Sequence, residues 1–85
     1  MGKRRFTEQG WQKDPWFRGL CSALASCNGE DEIAEFLRDL GSLSELQSWS
    51  ERLEVAKLLS QGFTYREVAK HTGASTTTVT RVAKS

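Results

Sequence analysis

The last helix-forming segment of the chain concentrates side chains that donate hydrogen bonds. Between residues 76 and 84 the sequence has four threonines, one arginine and one lysine, namely Thr76, Thr77, Thr78, Thr80, Arg81 and Lys84. Threonine is a poor helix former, so four of them in one helix carry a conformational cost that solubility does not require. Hydroxyl, guanidinium and ammonium groups are what proteins use to contact phosphates and base edges. The chemistry expected here is hydrogen bonding to a polyanion.

Two short helices joined by a tight turn are expected to position these groups. Thr64-Tyr65-Arg66-Glu67 matches a capping box, in which two side chains satisfy free amides of the first helical turn. It predicts a helix from about Tyr65 to His71. Gly73 tolerates the positive φ that the turn needs, and Ser75 caps a last helix, residues 75–84. Two short helices about a Gly-containing turn are typical of a helix-turn-helix.

The last helix is expected to have an anchoring face and a binding face. Val79 and Val82 anchor it on the preceding helix, where the small Ala69 permits a close crossing. At about 100° per residue, the opposite face bears hydroxyl and cationic groups, and helices of this kind meet the major groove through that face and their N-terminus. The predicted DNA-binding residues are Thr64, Arg66, Ser75, Thr76, Thr77, Thr80, Arg81 and Lys84.

The charge distribution favours the same kind of partner. The net charge is +1, but the charges are segregated. Residues 1–20 have five basic and two acidic side chains, residues 21–56 have two basic and eight acidic, and residues 57–85 have five basic and one acidic. We therefore expect the two ends of the chain, rather than its middle, to face a polyanion.

Upstream of this motif the pattern predicts three further helices and no strand. Asp14-Pro15 suits the start of the first helix, which Asn28-Gly29 ends. The second runs from about Glu30 to Leu40, and a capping box at residues 42–45 opens the third, which runs to about Ser60. The predicted fold class is all-α with five helices.

The domain organisation follows from these elements. Residues 1–13 are expected to form a flexible basic arm, and residues 14–85 a single helical domain. Within it, residues 14–62 supply the core and dimerisation helices and residues 64–85 the helix-turn-helix. The third helix has a broader apolar face than one neighbouring helix needs, which favours a homodimer.

Several classes of function are excluded by composition. No Cys/His cluster has zinc spacing and no Gly-rich phosphate loop is present, so we expect neither an enzyme nor a metal or cofactor. Cys21 and Cys27 are expected to be free thiols. The apolar runs fall far short of the 18 or more residues that span a bilayer, and no apolar stretch follows the basic N-terminus. A cytoplasmic protein without a membrane partner is expected.

From about Trp16 onward the chain resembles the trp-repressor-like family, and more closely its uncharacterised Gram-positive-type branch than the tryptophan-sensing repressor. The resemblance rests on residues 43–47 (LSELQ), 51–59 (ERLEVAKLL) and 73–82 (GASTTTVTRV). It implies a transcriptional regulator, of the repressor type, that forms an intertwined homodimer. Such a dimer presents two recognition helices to a palindromic operator in double-stranded DNA.

The resemblance also implies a candidate effector site. Arg52 and Arg81 match two arginines that help hold tryptophan in the sensing repressor. There, a glycine follows the second arginine and leaves room for the indole, whereas here that position is Val82. The loop Gly41-Ser42 also lacks the sensor's bulky apolar lining. Tryptophan is therefore not expected as effector. Two alternatives remain open, namely that Arg52 forms an ordinary ion pair within its helix and that Arg81 only contacts DNA.

Two other functions remain as alternatives. The segment from Gly62 to Val82 reads much like the DNA-targeting helix-turn-helix of a recombinase or transposase, although no catalytic domain accompanies it. A protein- or RNA-interaction module is the other alternative. RNA readers commonly present stacking aromatics, and Tyr65 alone lies near the motif. Comparing footprinting on duplex DNA with footprinting on structured RNA separates the DNA-binding and RNA-binding hypotheses.

Overall fold

The computed structural model describes residues 5–84. Lys3 and Arg4 of the predicted arm, and Ser85 at the end of the predicted helix-turn-helix, lie outside the described residues. No strand occurs within residues 5–84. A 3-10 helix, Trp11–Lys13, is followed by five α-helices, which are Pro15–Ala25 (α1), Glu30–Leu40 (α2), Leu43–Ser60 (α3), Tyr65–Thr72 (α4) and Thr76–Ala83 (α5). The prediction of an all-α fold with five helices is confirmed.

Short-range hydrogen bonds explain why the helices begin where the sequence predicts. Asp14 Oδ1 accepts from the backbone N–H of Trp16 at 2.8 Å, and Pro15 occupies the first helical position of α1. At the start of α3, Ser42 Oγ accepts from Glu45 N at 3.1 Å, while Glu45 Oε1 accepts from Ser42 N at 2.8 Å. These side chains satisfy amides that would otherwise lack partners, which fixes each helix start.

The chain divides into two compact units, Met1–Asp39 and Leu40–Ser85. The sequence groups α3 with the upstream helices in a 14–62 core. In the structure α3, α4 and α5 pack against one another within the second unit. The reason is that α3 buries Val55 in the same cluster as the helix-turn-helix valines.

Residues of the predicted arm form local contacts in the first unit. The Phe17 ring of α1 meets the rings of Phe6 and Trp11 edge-on, with centroids 6.1 and 5.2 Å apart. The Thr7 carbonyl accepts from Trp11 N at 2.9 Å, and its hydroxyl oxygen accepts from Gly10 N at 3.0 Å. Edge-to-face aromatic pairs contribute about 0.5–1.5 kcal/mol beyond area burial. These contacts explain why a polar segment without helical periodicity adopts a turn and a 3-10 helix.

The core of the second unit takes one fully buried valine from each helix. Val55 of α3, Val68 of α4 and Val79 of α5 have no exposed surface, and Ala74 of the connecting turn is also buried. Partly buried apolar side chains pack around them, namely Leu58, Leu59, Phe63, Ala69 and Val82. Full burial of a valine contributes about 1.5 kcal/mol or more relative to exposure. This cluster fixes which faces of α4 and α5 point outward.

Candidate nucleic-acid interface

The turn between α4 and α5 is held by a glycine and a threonine side chain. Gly73 has φ 76°, in the left-handed region, and its N–H donates to Ala69 O at 2.9 Å. Thr72 Oγ1 donates to Val68 O at 2.8 Å and accepts from Ala74 N at 3.1 Å. Gly73 is predicted in this turn from the sequence because glycine tolerates a positive φ. The roles of Thr72 and of the buried Ala74 were not predicted, although threonines at helix ends commonly make such local bonds.

Two predicted DNA-binding residues are helix caps. Ser75 Oγ accepts from Thr78 N and donates to Thr78 Oγ1, both at 3.1 Å. Thr64 Oγ1 accepts from Glu67 N at 3.1 Å, and Glu67 Oε1 accepts from Thr64 N at 2.9 Å. Both side chains are exposed at the N-termini of α5 and α4. Their hydroxyl oxygens therefore stabilise the helices that carry the other predicted residues.

Five of the eight predicted residues come together on the outer face of α5. They line one open surface cavity of about 420 Å³, and they are Thr76, Thr77, Thr80, Arg81 and Lys84. They share this face because Val79 is fully buried on the other side of the helix. Arg66 is exposed on α4 and does not line that cavity.

The hydroxyls of the α5 threonines differ in their hydrogen-bond partners. Thr80 Oγ1 donates to the Thr76 carbonyl at 2.8 Å, one helical turn back. Thr78 is half-buried and pairs with the Ser75 cap. Thr76 and Thr77 are exposed, and within residues 5–84 their hydroxyls have no hydrogen-bond partner. The four threonines are therefore not equivalent as hydrogen-bonding groups.

A second cavity brings together the two candidate effector arginines. Arg52 of α3 and Arg81 of α5 line a cavity of about 200 Å³ together with Thr78 and Val82. Val82, which the sequence analysis names as an obstacle to an indole, lines the same cavity as both arginines. Within the described residues Arg52 forms no ion pair, so the helix ion pair considered for it does not occur there.

One cluster was missed by the sequence analysis. Glu67, Lys70 and His71, three and four residues apart on α4, line an open cavity of about 440 Å³. The His71 ring contacts the Phe63 ring edge-on at 5.6 Å. Their spacing is that of one helical face, which was the available signal. Lys70 thereby adds an exposed positive charge to the helix-turn-helix.

The two capping glutamates have altered acidities. The backbone N–H of Ser42, and secondly its side chain, lower the pKa of Glu45 below the usual range of a glutamate. The backbone N–H of Thr64, its side chain and the charge of His71 lower the pKa of Glu67 in the same direction. Hydrogen bonds to an ionised carboxylate favour the charged form. Both caps are therefore strongest when the glutamates are ionised.

Metal binding, disulfide formation and membrane insertion would each require other side chains of the described part of the chain. No group of three or more His, Cys, Asp or Glu side chains between residues 5 and 84 is arranged to hold a metal ion. Cys21 and Cys27 are free and half-buried. None of the helices in the same range has the length and apolar character needed to cross a membrane.

Comparison with known families agrees with this geometry. The model of the family described as Trp repressor protein matches residues 16–85. The chain belongs to the Trp repressor protein family. This is a family of helix-turn-helix regulators, and the resemblance inferred from the sequence is confirmed.

Two relatives place the chain within the family. It is 40% identical over 65 residues to the uncharacterized protein YerC of Bacillus subtilis (strain 168), a match that covers 76% of this chain and 62% of YerC. It is 39% identical, with a TM-score of 0.79, to the crystal structure of a TrpR like protein from Eubacterium eligens ATCC 27750, covering 85% of this chain and 74% of that one. The match to an uncharacterised protein of a Gram-positive bacterium confirms the expected branch.

Proposed function

We propose that this member of the Trp repressor family is a sequence-specific, DNA-binding transcriptional regulator that inserts α5 into the major groove. One observation carries the proposal. Burial of Val79 turns Thr76, Thr77, Thr80, Arg81 and Lys84 together onto the outer face of the second helix of a helix-turn-helix. That helix is the one which contacts base edges in DNA-bound proteins of this architecture.

The charges around α5 support a phosphate-bearing partner. Arg66 and Lys70 of α4 are exposed, as are Arg81 and Lys84 at the end of α5. From residue 57 onward, Glu67 is the single acidic residue of the sequence. Each phosphate contact made by such cations releases counterions and steepens the salt dependence of binding by about 0.9 in log–log slope. Four such cations predict strongly salt-dependent binding to duplex DNA.

A homodimer forms part of the proposal. While Val55 is buried inside the second unit, α3 leaves Leu43 and Leu53 exposed at 66% and 64% of their surfaces, and Trp49 at 46%. A second copy of the chain would cover these side chains, which are costly to leave in water. Two copies would present two α5 helices to half-sites about 34–36 Å apart. The operator is therefore expected to be palindromic. Because the chain belongs to the Trp repressor protein family, we also propose that the regulator is a repressor and that it acts in the cytoplasm.

Selection from a random duplex DNA library tests the proposal. The protein is expected to enrich an inverted repeat, with an excess of structured RNA present as competitor. Lys84→Ala removes one charge from the α5 face, whereas Lys57→Ala removes one from an exposed α3 position that pairs with Glu54 at 3.6 Å. Lys84→Ala should weaken binding to the selected duplex and Lys57→Ala should not. Absence of enrichment by a folded protein would refute DNA-sequence recognition.

A further inference from the structure

The threonines of α5 have the same chemistry in the sequence but not in the folded helix. A threonine side chain offers one hydroxyl donor, two acceptor lone pairs and one methyl group. Thr80 Oγ1 lies 2.8 Å from the Thr76 carbonyl oxygen, which has no hydrogen to give, so the hydroxyl hydrogen of Thr80 is committed to that bond. Threonines in helices commonly bond to a carbonyl one turn back.

The hydroxyl of Thr80 therefore has no hydrogen left to donate to a partner, whereas its methyl group and its acceptor lone pairs remain. Its hydroxyl oxygen is turned to the helix backbone, while the residue lines the open cavity on the outer face of α5. Thr77 lines the same cavity, is exposed, and has a hydroxyl without a partner within residues 5–84. One face of α5 therefore presents an apolar group at Thr80 and a donor at Thr77, one helical turn apart.

Among the four bases, thymine alone presents an apolar group in the major groove, its C5 methyl. A threonine methyl is one of the groups that make this contact. We propose that Thr80 is a specificity-determining residue that selects a thymine by contact between its own methyl group and the C5 methyl of the base. This inference rests on the proposed function, because it requires α5 to lie in the major groove.

Two variants of Thr80 separate its methyl from its hydroxyl. Thr80→Val keeps a methyl and removes the hydroxyl, whereas Thr80→Ser keeps the hydroxyl and removes the methyl. Thr78→Ser deletes the same atoms from a half-buried residue that lines the cavity with Arg52 instead, and it serves as the matched control. Circular dichroism and thermal melting establish that each variant is folded.

The experiment has two stages. The wild-type protein and the three variants are first each selected against random duplex DNA, which identifies the base position whose thymine preference depends on residue 80. Synthetic duplexes of the selected sequence, carrying thymine or uracil at that position, are then titrated with each protein. Uracil lacks only the C5 methyl, so the duplex remains otherwise matched.

The expected result is a loss of affinity of about fourfold on replacing thymine by uracil, the ratio that follows from burying one methyl-sized group. The wild-type protein, Thr80→Val and Thr78→Ser should show this loss, and Thr80→Ser should bind both duplexes equally. If Thr80→Ser retains the wild-type preference for thymine over uracil, the inference is overturned while DNA binding stands. If the wild-type protein enriches no sequence at all, the proposed function fails and the assignment of Thr80 fails with it.

Discussion

Arg52 and Arg81, from helices α3 and α5, line the same cavity of about 200 Å³, and Val82 lines it with them. Two cations at one cavity would attract a carboxylate, and in the tryptophan-sensing repressor the matching arginines help hold the amino acid. The branched side chain of Val82 occupies space that a glycine leaves open there. The cavity therefore combines an attractive charge with a steric obstacle.

We expect free tryptophan not to act as a corepressor of this protein. Overpacking a fitted site costs about 1–3 kcal/mol, and the small ligand must also overcome the entropy cost of association. Calorimetric titration with tryptophan, with and without the selected duplex DNA, should give no micromolar binding. Micromolar binding that tightens the DNA complex would show that Val82 turns aside or that the amino acid binds elsewhere.

Arg81→Ala and Thr77→Ala should weaken binding to the selected duplex without unfolding the protein, because both residues lie opposite the buried Val79. Loss of an arginine that reaches a guanine edge costs about 1–3 kcal/mol, concentrated at one base position. Loss of a neutral hydrogen bond at Thr77 costs about 0.5–1.5 kcal/mol. Fluorescence anisotropy with single-base variants of the duplex measures both effects. Equal binding by wild type and Arg81→Ala would contradict the assignment.

Gly73→Val should lower the free energy of unfolding. A Cβ at this position meets no atom within 4 Å, so the expected effect comes from φ 76° rather than from a clash. A β-branched residue held in that region costs about 1–3 kcal/mol. Gly73→Asn is the matched control, since asparagine tolerates the left-handed region better. Urea denaturation should rank wild type first, Gly73→Asn second and Gly73→Val last, and any other order would contradict a turn fixed by its backbone.

Acid should destabilise the protein through its two capping boxes. Folding lowers the pKa of Glu45 and of Glu67 below the usual range of a glutamate. Their contribution to stability is therefore present above the pKa of the unfolded chain and is lost as the pH falls through the lowered pKa values. Urea denaturation at a series of pH values from 6 to 3 should show this fall. The double variant Glu45→Gln/Glu67→Gln keeps capping side chains that do not titrate, so its free energy of unfolding should decrease less over the same pH range. An equal decrease in the wild type and the variant would show that other groups titrate.

Sedimentation should show a dimer at micromolar concentration. The expected contact includes the exposed side of α3, so Leu53→Gln should shift the equilibrium toward monomer by replacing an apolar surface with an amide. Ser48→Gln, at an exposed polar position of the same helix, should leave the dimer unchanged. A wild-type protein that sediments as a monomer would rule out the proposed pair of recognition helices.

The helix starts were predictable because caps are local. Asp14, Ser42, Thr64 and Ser75 each bond to amides two or three residues ahead, so the sequence alone contains both partners. The outer face of α5 was predictable for a similar reason, since Val79 sets the helix rotation and the residues opposite follow from periodicity.

Features that depend on packing between distant segments were not predictable in the same way. The grouping of α3 with the helix-turn-helix requires Val55 to meet Val68 and Val79, and a broad apolar face on α3 does not say which neighbour it meets. The order of the arm near Trp11 depends on the Phe17 ring. Likewise, four threonines within five residues give no indication of which hydroxyl bonds to the helix backbone.

The separation of faces on α5 has an evolutionary consequence. Val79 and Val82 hold the helix to the core, whereas Thr76, Thr77 and Thr80 lie on the face that lines the outer cavity. Thr76 and Thr77 are exposed, and because exposed substitutions away from caps and buried groups change stability by about 0.5 kcal/mol or less, exchange of these two residues leaves folding nearly untouched. Under the proposed function, two copies of this chain that arise by gene duplication can therefore diverge in the DNA sequence that they bind before either has to acquire a compensating change in its core.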